Sequence, residues 1–80
     1  VADTANNRVL AWPRAGAGLA DEAVLAIGQP DLVSNGENRW KRVAHDTLCW
    51  PYGVALCRGT LAVADSGNNR VMLWSVPSCV

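Results

Sequence analysis

The sequence lacks an excess of charge of either sign. Its 80 residues carry seven Lys and Arg against seven Asp and Glu, so no global field draws the chain to nucleic acid or to an anionic membrane. It also lacks a long apolar run: no segment approaches the roughly 18–20 residues of a membrane span. No basic start followed by an apolar core marks a signal peptide. One histidine, His45, falls short of the about three protein ligands of a catalytic zinc, and beside Asp46 it reads as half of a surface hydrogen-bonding pair. Gly-x-Ser-x-Gly, a phosphate loop and His-Glu-x-x-His are all absent, so no catalytic residue, metal ligand or cofactor is assigned. Cys49, Cys57 and Cys79 stand at spacings that fit no metal or redox pattern. Cys57 continues an apolar strand and Cys49 adjoins Trp50, so both read as small buried apolar residues. An unpaired cysteine and the lack of a leader lean the compartment towards the cytoplasm.

What is present is a repeat. Half of the residues are apolar, a globular composition, and VADTANNRVLAW at 1–12 returns 62 residues later as VADSGNNRVMLW at 63–74. Eight of the twelve positions are identical. In the second copy, the apolar runs Leu61–Ala64 and Val71–Trp74 flank Ser66-Gly67-Asn68-Asn69, which predicts an antiparallel hairpin with a four-residue loop. Asp65 and Arg70 then face each other across the closing position, as Asp3 and Arg8 do in the first copy. Such an opposite-charge cross-strand pair is worth about 0.2–1 kcal/mol. Ser66 replaces Thr4, keeping a hydroxyl able to bond the local backbone. Ala5 in place of Gly67 argues against a positive φ there. The left-handed residue is therefore expected to be an asparagine, from Asn6 and Asn7 in the first copy and Asn68 and Asn69 in the second.

Both alternating faces of these strands are apolar, so each sheet needs a cover on both sides. Eighty residues cannot supply a double sandwich, whereas radially stacked small sheets can cover one another, as in a β-propeller. Two further strands complete the pattern: Glu22–Ile27, closed by Gly28 and Pro30, and Tyr52–Cys57, opened by Pro51 and closed by Arg58 and Gly59. With the strands of a blade named a to d, residues 1–29 supply b, c and d. Residues 30–50 form a long connection, and 51–80 supply a, b and c of the next blade. On this reading the chain is a partial, all-β propeller piece of antiparallel four-stranded blades, to be completed by other blades of the same protein.

WPYGVAL followed by GTLAVADSGNNRVMLW resembles the NHL repeat, whose pattern runs Pro-x-Gly-Val-Ala and then Val-Ala-Asp-Ser/Thr-Gly-Asn-Asn-Arg-Val. Residues 1–9 match its second half with Ala5 as a departure, and AIGQPDLVSN at 26–35 is similar to the exit from strand d in bacterial members. The resemblance implies a propeller, commonly of six blades, that serves as a binding or interaction scaffold. It also implies two other functions found among relatives. One is a metal-dependent lyase or hydrolase, whose ligands other blades would have to supply. The other is an RNA-binding face, which the zero net charge disfavours.

Against the about 40–45 residues of comparable propeller repeats, the 62-residue offset is long by roughly 20. The excess lies in residues 30–51, and long loops on a rigid scaffold are where binding residues concentrate. Arg39, Trp40, Lys41 and Arg42, followed by His45, are the candidate binding residues. Three cations and an aromatic suit phosphate, a carboxylate or single-stranded RNA, and with nucleic acid disfavoured by the zero net charge the expected partner is a protein or a small anionic ligand. A helical turn here would put Arg39 and Arg42 on one face, with Trp40 anchoring the loop to the blade. Asp3, Asn6, Asn7, Arg8, Asp65, Asn68, Asn69 and Arg70 are assigned to turn structure.

Overall fold

Two three-stranded antiparallel sheets make up the computed structural model, which describes residues 1–12 and 23–77. The first joins β1 (Ala2–Asp3), β2 (Arg8–Ala11) and β3 (Leu25–Ile27), in that order. The second joins β4 (Pro51–Cys57), β5 (Thr60–Asp65) and β6 (Arg70–Ser75). There is no α-helix among the described residues. No helix there is long and apolar enough to cross a membrane. The third strand of the first sheet is shorter than expected, starting at Leu25 with Val24 N–H bonded to the Ala11 carbonyl at 2.8 Å. Glu22 lies outside the described residues.

The two repeat copies fold alike. Asp3 pairs with Arg8 and Ala2 with Val9 across the first hairpin, and Asp65 with Arg70 and Ala64 with Val71 across the second. Each loop is one 3-10 turn, Thr4–Asn6 or Ser66–Asn68, ended by a left-handed asparagine. Asn7 sits at φ 55, ψ 45 and Asn69 at φ 56, ψ 44, so in each loop the second asparagine reverses the chain. Gly67 owes its identity to space: a Cβ there would lie 2.5 Å from the Cys49 carbonyl oxygen, which accepts the Gly67 N–H at 2.8 Å.

The core lies between the sheets. Val9 and Ile27 of the first meet Leu61 and Val63 of the second, and Leu48 of the connection is fully buried among them. Burying a side chain of this size contributes about 1.5–3 kcal/mol. Within the described residues one face of the second sheet is covered, and the expected cover of the other falls to further blades. Val71 and Leu73 point to the other and are each 68% exposed. The cysteine reading also changes, since Cys57 is exposed and Cys49 is half-buried; Cys79 lies outside the described residues.

Burial separates the two Asp–Arg pairs. The Asp65 side chain is fully inaccessible, against 26% exposure for Asp3. Its Oδ1 accepts the Cys49 N–H at 2.8 Å, and its Oδ2 accepts Asn68 Nδ2 at 2.8 Å and Arg70 Nε at 2.7 Å. The cross-strand value therefore understates it. Arg70 is itself 24% exposed, so removing Asp65 chiefly leaves the Cys49 N–H and the Asn68 amide without their acceptor, at about 1–3 kcal/mol for each buried group left unsatisfied. Asp65→Ala is expected to lower the unfolding free energy by at least that amount, and Asp3→Ala by distinctly less. Urea denaturation of the two variants measures the difference, and equal losses would show that burial does not set the scale.

Candidate binding site on the connecting segment

Both turns grip the segment between the sheets through side chains the repeat supplies twice. From the first, the Asn7 carboxamide donates to the Asn35 carbonyl at 3.0 Å and accepts the Trp50 N–H at 2.8 Å. Gln29 Nε2 bridges the carbonyls of Asn7 and Gly36 at 2.9 and 2.8 Å. Arg8, besides pairing with Asp3, donates to the Leu32 carbonyl at 2.7 Å. From the second turn, Arg70 donates to the carbonyls of Ala44 and Thr47 at 2.7 and 2.9 Å. Asn68 and Asn38 exchange reciprocal side-chain amide bonds at 2.8 and 3.0 Å. The Thr4 hydroxyl bonds the Pro51 carbonyl at 2.7 Å rather than its own turn. Buried backbone polar groups demand such partners.

The clamp shapes a 3-10 segment, Glu37–Trp40, into a left-handed turn. Asn38, Arg39 and Trp40 have φ of 49°, 55° and 59°. Successive non-glycine residues in this region cost about 1–2 kcal/mol each. The fixed partners of Asn38, whose N–H also reaches the Leu48 carbonyl at 2.8 Å, hold them there. The right-handed turn that would align Arg39 with Arg42 does not form. Arg39 instead pairs with Asp46 at 2.5 Å, which takes Asp46 from the expected pairing with His45.

Trp40 is 77% exposed, so it does not pin the loop to the sheet. Its ring lies over Gly36, where a Cβ would come within 2.4 Å of Nε1. Lys41, Arg42 and His45 are exposed. Arg39, Trp40 and Lys41, with Gln29, Asn35 and Gly36, line a cleft of about 360 Å³. Trp40 and Lys41 thus share an open cleft with Arg39, whose charge is paired with Asp46, and Arg42 and His45 are not among its lining residues. Among the described residues, no three His, Cys, Asp or Glu side chains gather as a metal site. Cys49 is no poised nucleophile: burial, then the hydrogen bond to Glu37 and the charges of Glu37 and Asp65, push its thiol pKa up.

Residues 48–71 match the family model of the NHL repeat. No curated protein and no solved structure matches the chain. The match covers the second hairpin and the strand before it, and this segment is similar to an NHL repeat. Repeats of this family are interaction modules that build propeller-type scaffolds. Residues 1–12 lie outside the matched segment, yet they reproduce its hairpin in sequence and register.

Sequence reasoning assigned the eight motif residues to turn structure and missed that Asn7, Arg8, Asn68 and Arg70 reach the connection. The available signal was redundancy: a turn needs one left-handed asparagine, but each copy carries two and an arginine.

Two outcomes test this geometry. Gly36→Ala forces Trp40 off its seat, and overpacking of this kind costs about 1–3 kcal/mol. The Trp40 indole resonance is expected to shift while those of the sheet core stay in place. The second concerns Asp3. Burial raises its carboxyl pKa, but hydrogen bonds from Arg8 and Asn6 and the Arg8 charge outweigh it, and the net shift is downward. A depressed folded pKa means stability fully present above the unfolded carboxylate range, near about 3.9, and lost as pH falls through the folded value. The stability gap between wild type and Asp3→Asn should be constant above about pH 5 and close below about pH 4. A gap independent of pH would contradict the pairing.

Proposed function

We propose that this chain is part of a binding scaffold whose contact surface is the connecting segment, with Trp40, Lys41 and Arg42 meeting a protein partner or small ligand that presents an anionic group. The observation that carries this reading is the left-handed turn at 38–40. A strained backbone is held by bonds from the second hairpin and by Leu48, and its result is an aromatic ring and two cations placed in solvent. Strain of this kind persists where surrounding structure over-determines it, as it does at ligand clamps. Trp40 offers a flat apolar face of low conformational entropy, and large exposed aromatics beside cations are typical binding anchors. Arg39 serves the site as a strut through Asp46, leaving Lys41 and Arg42 for the anion. His45 lies at the margin.

Exposed charge contacts are screened over about 10 Å at 0.1 M salt, and each is worth about 0.2–1 kcal/mol. A labelled Asp- and Glu-rich peptide, titrated by fluorescence anisotropy, is the probe. Lys41→Ala with Arg42→Ala is expected to weaken its binding several-fold and to flatten the salt dependence. Trp40→Ala should weaken binding while leaving the salt dependence in place. Affinity and salt dependence that match wild type in both variants would remove the surface from consideration.

A further inference from the structure

Of the seven cationic side chains in the chain, three fall within four positions: Arg39, Lys41 and Arg42. Lys41, Arg42 and Val43 are exposed, Val43 at 51%. The left-handed turn ends at Lys41, whose φ of −126° and ψ of −159° are extended, and Arg42 and Val43 have no regular structure. Neither residue uses its N–H or carbonyl in a hydrogen bond to the described residues. On either side the backbone is tied down. The Lys41 N–H donates to the Asn38 carbonyl at 2.9 Å. Ala44 exchanges bonds with the Thr47 hydroxyl and accepts one from Arg70. An exposed stretch with unpaired main-chain groups is what a protease cleft can grip, because the enzyme bonds to the substrate backbone edge-on.

We propose that the peptide bond between Arg42 and Val43 is a site of limited proteolysis, cut by a serine endoprotease whose cleft presents acidic subsites to Arg42, Lys41 and Arg39. The protease serine attacks the Arg42 carbonyl carbon. The C–N bond to Val43 then breaks as the Val43 nitrogen takes up a proton, and water releases Arg42 as a carboxylate. Charge sets the choice of bond. Arg58, exposed at the turn between β4 and β5, would also satisfy a cleft that reads one cation. Only the bond after Arg42 has cations at the first, second and fourth positions before it. Arg39 and Trp40 must leave the left-handed turn to lie extended in the cleft, and Arg39 must leave Asp46. The strain of the turn favours that opening, while the ion pair holds it back. The two pieces stay joined after the cut. Thr4 to Pro51, Asn7 to Trp50 and Asn38 to Asn68 all bridge it, as does the core between the sheets. Cleavage therefore alters the segment that carries Trp40 without dismantling the sheets. The inference does not rest on the binding surface proposed above, so the acidic-peptide titration can fail without touching it.

The test incubates the 80-residue chain with an endoprotease selective for Arg-x-Lys-Arg and, in parallel, with trypsin, and reads the products by mass spectrometry. The selective enzyme is expected to give two fragments, residues 1–42 and 43–80. Arg42→Ala, which alters an exposed side chain, should abolish that cut. Trypsin reads the cation at the cut alone, so its rate at the same bond reports any change in the exposure of the loop. Relative to that rate, Arg39→Ala should slow the selective enzyme at least tenfold, and Asp46→Asn, which releases Arg39, should speed it several-fold. A chain left whole by the selective enzyme, beside a synthetic peptide of residues 36–47 that is cut, would overturn the inference. So would an Arg39→Ala chain cut as fast as wild type on the trypsin scale.

Discussion

The carboxylate of Asp65 is where the organisation of this chain converges. It is fully buried at the end of β5, and it binds three donors from three places: the connection at Cys49, its own turn at Asn68, and β6 at Arg70. A buried carboxylate is tolerated only with partners of this number and geometry. Once they are in place, the hairpin, the turn and the end of the connection can no longer move independently. Arg70, fixed by the same oxygen, has its other end free to seize Ala44 and Thr47. One anion thus sets the register of the second sheet and the path of the segment leading to it.

From that fixed point, the surface follows. The connection is too long to be a tight turn, and where it runs against the sheets its backbone groups are shielded from water and need partners. The two copies of the motif supply them from both sides, Asn7 and Arg8 on one and Asn68 and Arg70 on the other. Leu48 is drawn into the core between the sheets, and the chain on either side of it is held. The left-handed turn at 38–40 and the exposed ring of Trp40 follow from this clamp, since nothing in the local sequence favours such a conformation for arginine or tryptophan.

The sheets were legible in the sequence because their causes are local. Apolar runs of four residues, a polar four-residue interval and an Asp–Arg closing pair determine a hairpin wherever they occur, and comparing Ala5 with Gly67 located the left-handed position among the asparagines. The site was legible only as a location. Excess length drew attention to residues 30–51, and the cluster around Trp40 was visible as composition. Its geometry depends on contacts between residues some 30 positions apart, such as Asn38 with Asn68. No periodicity within the loop encodes them, which is why a right-handed turn with an anchoring Trp40 was expected and an outward one found. The cysteines failed for a similar reason. An apolar strand says that one face is covered, and Cys57 lies where the described residues supply no cover.

Hydrogen exchange at single-amide resolution addresses the clamp most directly. The amides of Cys49 and Trp50 lie in a connection without regular structure, yet they donate to side chains of opposite turns, Asp65 and Asn7. If the two copies of the motif hold the connection as described, both amides should be protected to nearly the degree of Val63 in the centre of the second sheet, while Arg42 exchanges freely. Exchange of Cys49 and Trp50 as fast as Arg42, beside a protected Val63, would show a folded sheet with a connection the turns do not grip, and the account would be wrong at its centre.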